Sequence, residues 1–236
     1  MLKVYAVKIP EEINEEDYQV LLSFTSIEKR EKIKKVKHKQ SLYQTLIGDI
    51  VIRLIILENK IRLSNEEIDF EYNRFGKPRL KNESSFMYNI SHSNEWVVCV
   101  VDSCQVGIDI EYKKPIELRY FEKVFSLEEL IDIRSKNPFN QQEYFYDLWT
   151  LKESYIKMIG EGFSYPVSSL TVKKNSLVDI QLVNSINNSN PYFKQYNIDP
   201  NYTLSVCAEK EDFPKEVVIW SFSRILEILA FSNTNL

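Results

Sequence analysis

The element order of this 236-residue chain fits an α+β protein. Three observations carry that expectation. A stretch without proline, Glu15 to Leu63, places apolar residues at helical spacing; several short β-branched and aromatic runs follow it; and the second half repeats the order of helices before strands. No repeat of residues accompanies this similarity of order.

The chain opens on a strand, with Val4, Tyr5 and Val7 in an apolar run closed by Pro10. From Glu15 to Leu63 the only glycine is Gly48, and Leu42, Leu46, Ile50, Leu54 and Leu57 recur at helical spacing, so two or three helices are expected. Ile68 to Tyr72, Phe86 to Ile90 and Trp96 to Val101 read as strands, separated by Gly76-Lys77-Pro78 and Ser91-His92-Ser93-Asn94. A further strand, Val106 to Tyr112, is expected to pair with Trp96 to Val101 across the Asp102-Ser103-Cys104-Gln105 turn. Ser126-Leu127-Glu128-Glu129 has the spacing of a capping box and starts a helix. Gln141 to Ile159 is a longer amphipathic helix stopped by Gly160. Tyr192 to Ile198 and Tyr202 to Ala208 are strand-like, Asn184 to Asn190 is a polar loop, and Ser223 to Phe231 is a short terminal helix.

Composition narrows the function classes. At 44% hydrophobic and 27% charged the chain is expected to be globular, and a net charge of -4 does not favour a nucleic-acid partner. The longest apolar stretches, Ile50 to Leu57 and Val217 to Phe231, are broken by charges and shorter than a bilayer requires. The N-terminus lacks an apolar leader, so a cytoplasmic location is expected, with no membrane partner. Three cysteines without C-x-x-C spacing give neither a disulfide framework nor a zinc site. Five glycines stand where average usage would give roughly 17. So sparing a use points to positions of positive φ or close backbone approach.

Four clusters offer chemistry. In Val106-Gly107-Ile108-Asp109-Ile110-Glu111 the carboxylates sit two residues apart on a strand and therefore share a face. They suit a hard cation such as Mg²⁺, or they form an acidic outer face; both readings stand for the hexapeptide alone. Trp149, Glu153 and Lys157 fall on one helical face, as a surface ion pair or as part of a site, and the helix runs into Gly160-Glu161-Gly162, whose N–H groups could face an anion. Asn89-Ile90-Ser91-His92-Ser93 holds one of two histidines. Adjacent Ser and His do not form a nucleophile and its base, and there is no G-x-S-x-G elbow, which leaves a turn histidine or a phosphate donor. The run from Glu28 to Lys39 concentrates lysines, either as a solvated helix face or as a phosphate contact. Together these groups fit metal-assisted chemistry at a pyrophosphate.

In order, Phe75-Gly76-Lys77-Pro78, Asn89-Ile90-Ser91-His92-Ser93, Val106-Gly107-Ile108-Asp109-Ile110-Glu111, Phe125-Ser126 with Glu129 or Glu128, and Trp149-x-x-Lys152-Glu153-x-x-x-Lys157 closely resemble the 4'-phosphopantetheinyl transferases of the two-lobed surfactin (Sfp) type. The likeness runs from Met1 to about Phe222. It implies an α+β fold of two similar pseudo-symmetric lobes, each a small antiparallel sheet with helices, and an active site in the cleft between them. The lobes would be 1–103 and 104–222, with 223–236 as a tail that is a short helix. The implied reaction moves the 4'-phosphopantetheine arm of coenzyme A, the co-substrate, to a serine of an apo acyl or peptidyl carrier protein, releasing adenosine 3',5'-bisphosphate. Carried over by residue, the resemblance makes Asp109, Glu111 and Glu153 the Mg²⁺ ligands, with the coenzyme A pyrophosphate completing the shell. Glu153 would also be the general base and Lys157 would neutralise the attacked phosphate. The loop with Lys77 and Pro78 would hold the adenine end, and Lys29, Lys32, Thr45, Ser91 and His92 would contact the nucleotide phosphates, His92 at the 3'-phosphate.

At Gln44 relatives of this type often carry arginine, so a positive charge is missing from that contact. Gln44→Arg is therefore expected to lower the KM for coenzyme A; an unchanged KM would show that the position is not a phosphate contact. Lys113, Tyr120 and Phe121, after Glu111, are the implied carrier-docking residues. A cleft within one chain makes a monomer sufficient, and a role in nonribosomal peptide, polyketide or antibiotic synthesis is implied by likeness only. Two other readings use the same residues: an idle coenzyme A or carrier-binding module, and another Mg²⁺-dependent pyrophosphate-cleaving enzyme. A pure binder has no need of both a base and a metal cluster.

Overall fold

The computed structural model describes residues 1–59, 64–176, 178–185 and 190–233. The opening strand, β1 (Lys3–Lys8), is buried on both faces, and alternate residues go to different cores: Tyr5 and Val7 to one, Val4 and Ala6 to another. Three helices follow, as the proline-free stretch predicts. α1 (Glu15–Ser23) is capped by Asn14, α2 (Ile27–Ile33) by Ser26, and α3 (Lys39–Glu58) begins at His38. α3 is long and apolar enough by composition to cross a bilayer, but Leu46, Ile47, Ile50, Leu54 and Ile55 are core residues of the first lobe.

A hairpin of β2 (Phe70–Tyr72) and β3 (Pro78–Leu80) leads to β4 (Met87–Ser93) and β5 (Trp96–Asp102). β6 (Val106–Tyr112) then crosses to a second sheet. The expected pairing of β6 with β5 is not made. Both backbone edges of β5 are taken by antiparallel partners, β1 and β4, and β6 pairs with a later strand instead.

α4 (Leu127–Ser135) starts at the capping box, which is closed in both directions between Ser126 and Glu129. α5 (Pro138–Ile159) begins three residues before the expected Gln141, because Asn137 caps it and Pro138 fits a first-turn position. β7 (Thr171–Lys174) and β8 (Ile180–Asn184) form a small hairpin. β9 (Tyr192–Tyr196), β10 (Tyr202–Ala208) and β6 make a three-stranded sheet in the order β6-β10-β9. Most of the loop expected at Asn184 to Asn190 lies outside the described residues.

β11 (Val218–Trp220) and α6 (Phe222–Asn233) correct the expected boundaries. β11 runs parallel to β1, with Tyr5 opposite Val218, giving a first sheet in the order β11-β1-β5-β4. Trp220, Ile225 and Leu229 enter the first core. The chain assigned to the second lobe up to 222 therefore returns to the first lobe at 218, and the terminal segment is the expected short helix, packed on that lobe. The division at 103/104 falls in the β5–β6 connection.

The sheets meet face to face. Val98 and Val100 of β5 pack with Val106, Ile108 and Ile110 of β6 and Leu204 and Val206 of β10 in a shared core, while helices cover the other face of each sheet. Period-two alternation then decides the site: with Ile108 and Ile110 in the shared core, Gly107, Asp109 and Glu111 face α5.

Candidate active site

Gly107 brings α5 onto β6. A Cβ at this position would lie 2.0 Å from the Ser154 carbonyl oxygen and 2.4 Å from the Met158 nitrogen, so only glycine permits the contact. Next to these contact residues and one turn apart, α5 presents Glu153 and Lys157 to the acidic strand. Asp109, Glu111, Trp149, Glu153 and Lys157 line one cavity of about 320 Å³, together with Ser91 and His92.

β4 supplies the other wall through side chains. Asn89 Oδ1 accepts the Ile108 N–H (2.9 Å), Ser91 Oγ the Ile110 N–H (3.4 Å) and Ser93 Oγ the Tyr112 N–H (2.9 Å). These alternate residues satisfy the edge of β6 that its own sheet leaves unpaired. The serines also donate to the carboxylates, Ser91 to Asp109 Oδ1 (3.0 Å) and Ser93 to Glu111 Oε2 (3.1 Å). The hydroxyl of Ser91, expected on a nucleotide phosphate, thus serves the acid cluster. Sequence reading missed Asn89 and Ser93, although the polar N-x-S-x-S alternation inside an otherwise apolar strand is a legible signal of a polar face.

Lys157 Nζ donates to Asp109 Oδ1 (2.5 Å) and to Ser91 Oγ (2.8 Å), and the indole of Trp149 donates to Glu111 Oε1 (3.4 Å). Asp109 Oδ2 is buried with no hydrogen-bond partner among the described residues. Burial, then the charge of Asp109, pushes Glu153 up to about 7; Lys157 opposes this and Glu111 adds to it. Burial and Asp109 raise Glu111 as well. The cluster thus carries more negative charge than its one lysine balances.

Those features test whether the cluster fits a divalent cation. Three carboxylates converge on one cavity, they load one another electrostatically, and one buried oxygen is free to coordinate; the donor set suits Mg²⁺. Among the described residues, as they are placed, no three acidic, histidine or cysteine side chains stand close enough together to hold a metal ion. A Mg²⁺ ion here would need further oxygens from a bound substrate phosphate, as is usual for Mg²⁺ held by one or two carboxylates.

A second cavity of about 370 Å³ adjoins the first through Ile90 and His92. It gathers Lys29, Gln44, Thr45, Pro78 and His92 around an apolar wall that includes Phe70, Tyr72 and Tyr88. Buried Asp49, unread from sequence, also lines it and lies 3.8 Å from Lys29 Nζ, while its other oxygen accepts from Arg53 (2.9 Å). Lys32 pairs with Glu28 (2.7 Å) and sits over the Tyr72 ring at 5.7 Å. The hydroxyl of Thr45 donates to Ser41 O (2.7 Å). Gln44 is buried, and its amide donates to Asn94 O (2.8 Å), so an arginine there adds charge only by giving up or sharing that bond.

Lys77 stands elsewhere. Gly76 and Pro78 line the cavity, but the Lys77 ammonium is buried at the junction of the lobes, and burial pushes it down to about 8. Its charge is not offered to the cleft. The Gly160 N–H is likewise spent, donating to Ile156 O to close α5, so it faces no anion. Of the residues expected to dock the carrier, Tyr120 is exposed, Lys113 pairs with Glu143 (3.5 Å) and Phe121 meets Phe145 edge to face.

A family model described as the 4'-phosphopantetheinyl transferase superfamily matches residues 105–214, and one described as 4'-phosphopantetheinyl transferase, N-terminal, matches residues 12–104. The chain is 37% identical over 227 residues to the 4'-phosphopantetheinyl transferase Sfp of Bacillus subtilis (strain 168), which covers 95% of this chain and 100% of that protein. It is 34% identical over 231 residues to the 4'-phosphopantetheinyl transferase psf-1 of Bacillus pumilus, covering 97% and 99%. With the 4'-phosphopantetheinyl transferase gsp of Aneurinibacillus migulanus it shares 38% over 175 residues, 74% of this chain and 73% of the other.

Proposed function

Because the chain belongs to the 4'-phosphopantetheinyl transferases, and is an enzyme that moves the phosphopantetheine of coenzyme A to carrier proteins, we propose which of its residues do this and how. The nucleotide end of coenzyme A occupies the cavity of Lys29, Thr45, Pro78 and His92, with Lys32 and Gln44 at its edge. The pyrophosphate reaches the acid cluster past Ile90 and His92. The observation that supports this reading is the junction of the two cavities, which sets an aromatic-walled pocket holding Lys29, Thr45 and His92 beside three carboxylates and a lysine.

Asp109, Glu111 and Glu153 would hold Mg²⁺ there, and the ion would supply charge neutralisation on the pyrophosphate oxygens. Glu153 accepts the proton of the carrier serine, for which a carboxylate raised toward neutrality is suited. The serine oxygen forms a bond to the phosphorus that carries the pantetheine arm, the bridging P–O bond breaks, and adenosine 3',5'-bisphosphate leaves with the electron pair. Lys157 balances charge on the phosphoryl group being transferred. Ser91 and Ser93 fix the carboxylates, so the cluster is oriented before substrate arrives. The apo carrier docks after Glu111, where Tyr120 is the exposed anchor. A cytoplasmic setting fits three free thiols, Cys99 and Cys207 among them buried.

Intact mass spectrometry of an apo carrier protein incubated with the enzyme, coenzyme A and Mg²⁺ tests the reading. The expected result is a gain of one phosphopantetheine, lost with EDTA and restored by excess Mg²⁺. A gain indifferent to EDTA would remove the metal from the assignment.

A further inference from the structure

The hairpin that walls the nucleotide cavity is fastened to the helix that carries the base. The turn between β2 and β3 is rigid: Asn73 Oδ1 accepts the N–H of both Phe75 and Lys77 at 2.9 Å, Asn73 N donates to Lys77 O at 3.0 Å, and Gly76 takes a φ of +88°. From this turn two side chains cross to the second lobe. Asn73 Nδ2 donates to Gly160 O (2.8 Å), and Lys77 Nζ donates to Met158 O (2.7 Å), Gln105 Oε1 (3.1 Å) and Val106 O (3.2 Å).

Three acceptors match the three protons of an ammonium. The hydrogen-bond partners of Lys77 Nζ are all neutral oxygens, with the charge of Glu209 acting on it from further off, and holding a desolvated cation there is costly. A methionine would fill the same space without that cost, so packing does not explain the lysine; directed bonds do. Met158 and Gly160 are the end and cap of α5, which carries Glu153 and Lys157, and Val106 opens β6, which carries Asp109 and Glu111. Gly160 leaves room for the tie, since a Cβ there would lie 2.7 Å from Lys77 Cδ and 3.1 Å from Asn73 Nδ2.

We propose that Asn73 and Lys77 are positioning residues that set the nucleotide wall at a fixed distance from the acid cluster, and that Lys77 touches no part of coenzyme A with its charge. The inference rests on the assignment of the nucleotide to the cavity of Tyr72 and Pro78. Its test uses Lys77→Met, Lys77→Arg and Asn73→Asp in the full chain, with the Kd for adenosine 3',5'-bisphosphate and the kcat and KM of transfer measured separately. Asn73→Asp keeps an oxygen for the turn N–H groups but loses the donor to Gly160 O, so it breaks the tie even if Lys77→Met fails to fold.

The expected result is a fall in kcat of about tenfold or more in Lys77→Met and Asn73→Asp, as misplaced reacting groups produce, with the Kd for the bisphosphate within about twofold of wild type. Lys77→Arg should recover part of kcat, because it keeps donors. A Kd that rises about tenfold with kcat unchanged would make Lys77 a ligand and overturn the proposal, as would an unchanged kcat in Asn73→Asp. Lys29→Ala and Thr45→Val separate the two readings. If they leave bisphosphate binding intact, the nucleotide assignment fails whatever the tie variants do.

Discussion

Glu153→Gln is expected to cut transfer by about 10³-fold while coenzyme A still binds within about twofold. The amide keeps the shape of the side chain but neither accepts a serine proton nor adds charge to the acid cluster. Isothermal titration and the carrier mass assay measure the two effects apart, and near wild-type turnover would remove Glu153 as the base. The same change should stabilise the protein in EDTA. Burial and the charges of Asp109 and Glu111 raise Glu153 from its ordinary 4.5 to about 7, so the folded state holds this proton more tightly than the unfolded chain does. Its contribution is complete below 4.5 and is lost as pH rises through about 7. Near pH 8 the variant should therefore be more stable than wild type by on the order of 2 kcal/mol, an advantage that closes below pH ~5. Equal stability at both ends would show that the cluster carries no such load.

The second large effect is expected at Glu129→Ala. Glu129 and Lys152 are buried together, and the pair draws α4, α5 and β7 to one point. Lys152 Nζ donates to Glu129 Oε2 and Leu170 O, both at 2.5 Å, while Glu129 also accepts the N–H of Ser126 and of Val172, both at 2.8 Å. Removing the carboxylate strands a buried ammonium and two backbone donors. The expected loss is about 3–5 kcal/mol, or roughly 10 °C in Tm for a chain of this size. Lys152→Met should cost less, because the carboxylate keeps both N–H donors. The reverse order in chemical denaturation would place the stability of this corner elsewhere. Since Glu153 follows Lys152 directly, the pair also anchors the helix turn that presents Glu153.

Much of the site was legible because its residues share a local period. Asp109 and Glu111 project together because a strand alternates, and Trp149, Glu153 and Lys157 because a helix returns every 3.6 residues. The scarcity of glycine pointed to close approach, which Gly107 makes against α5. What sequence concealed is tertiary. Val106 to Tyr112 looks like the return strand of a hairpin, yet β1 occupies the place beside β5, and nothing local announces this. Ser91 serves the carboxylates because β4 abuts β6 edge to edge. Lys77, in a motif that suggested a cleft residue, points to the far side of its own loop. Asp49 and its pairing with Arg53 were not legible in a helix read for its apolar stripe and for Gln44 and Thr45.

The parallel pairing of β1 with β11 has a consequence for how the chain finds its fold. Tyr5 and Val218 are neighbours in space yet lie at nearly opposite ends of the covalent path, and Trp220, Ile225 and Leu229 complete the core that β1 begins. Closing so long a loop costs entropy that is recovered only when everything between has condensed. The first sheet therefore reaches its final form late, after the second lobe exists to bring β11 back. Such high contact order makes folding slow and ties the two lobes into one cooperative unit, so neither half is a free-standing module despite their similar order of elements.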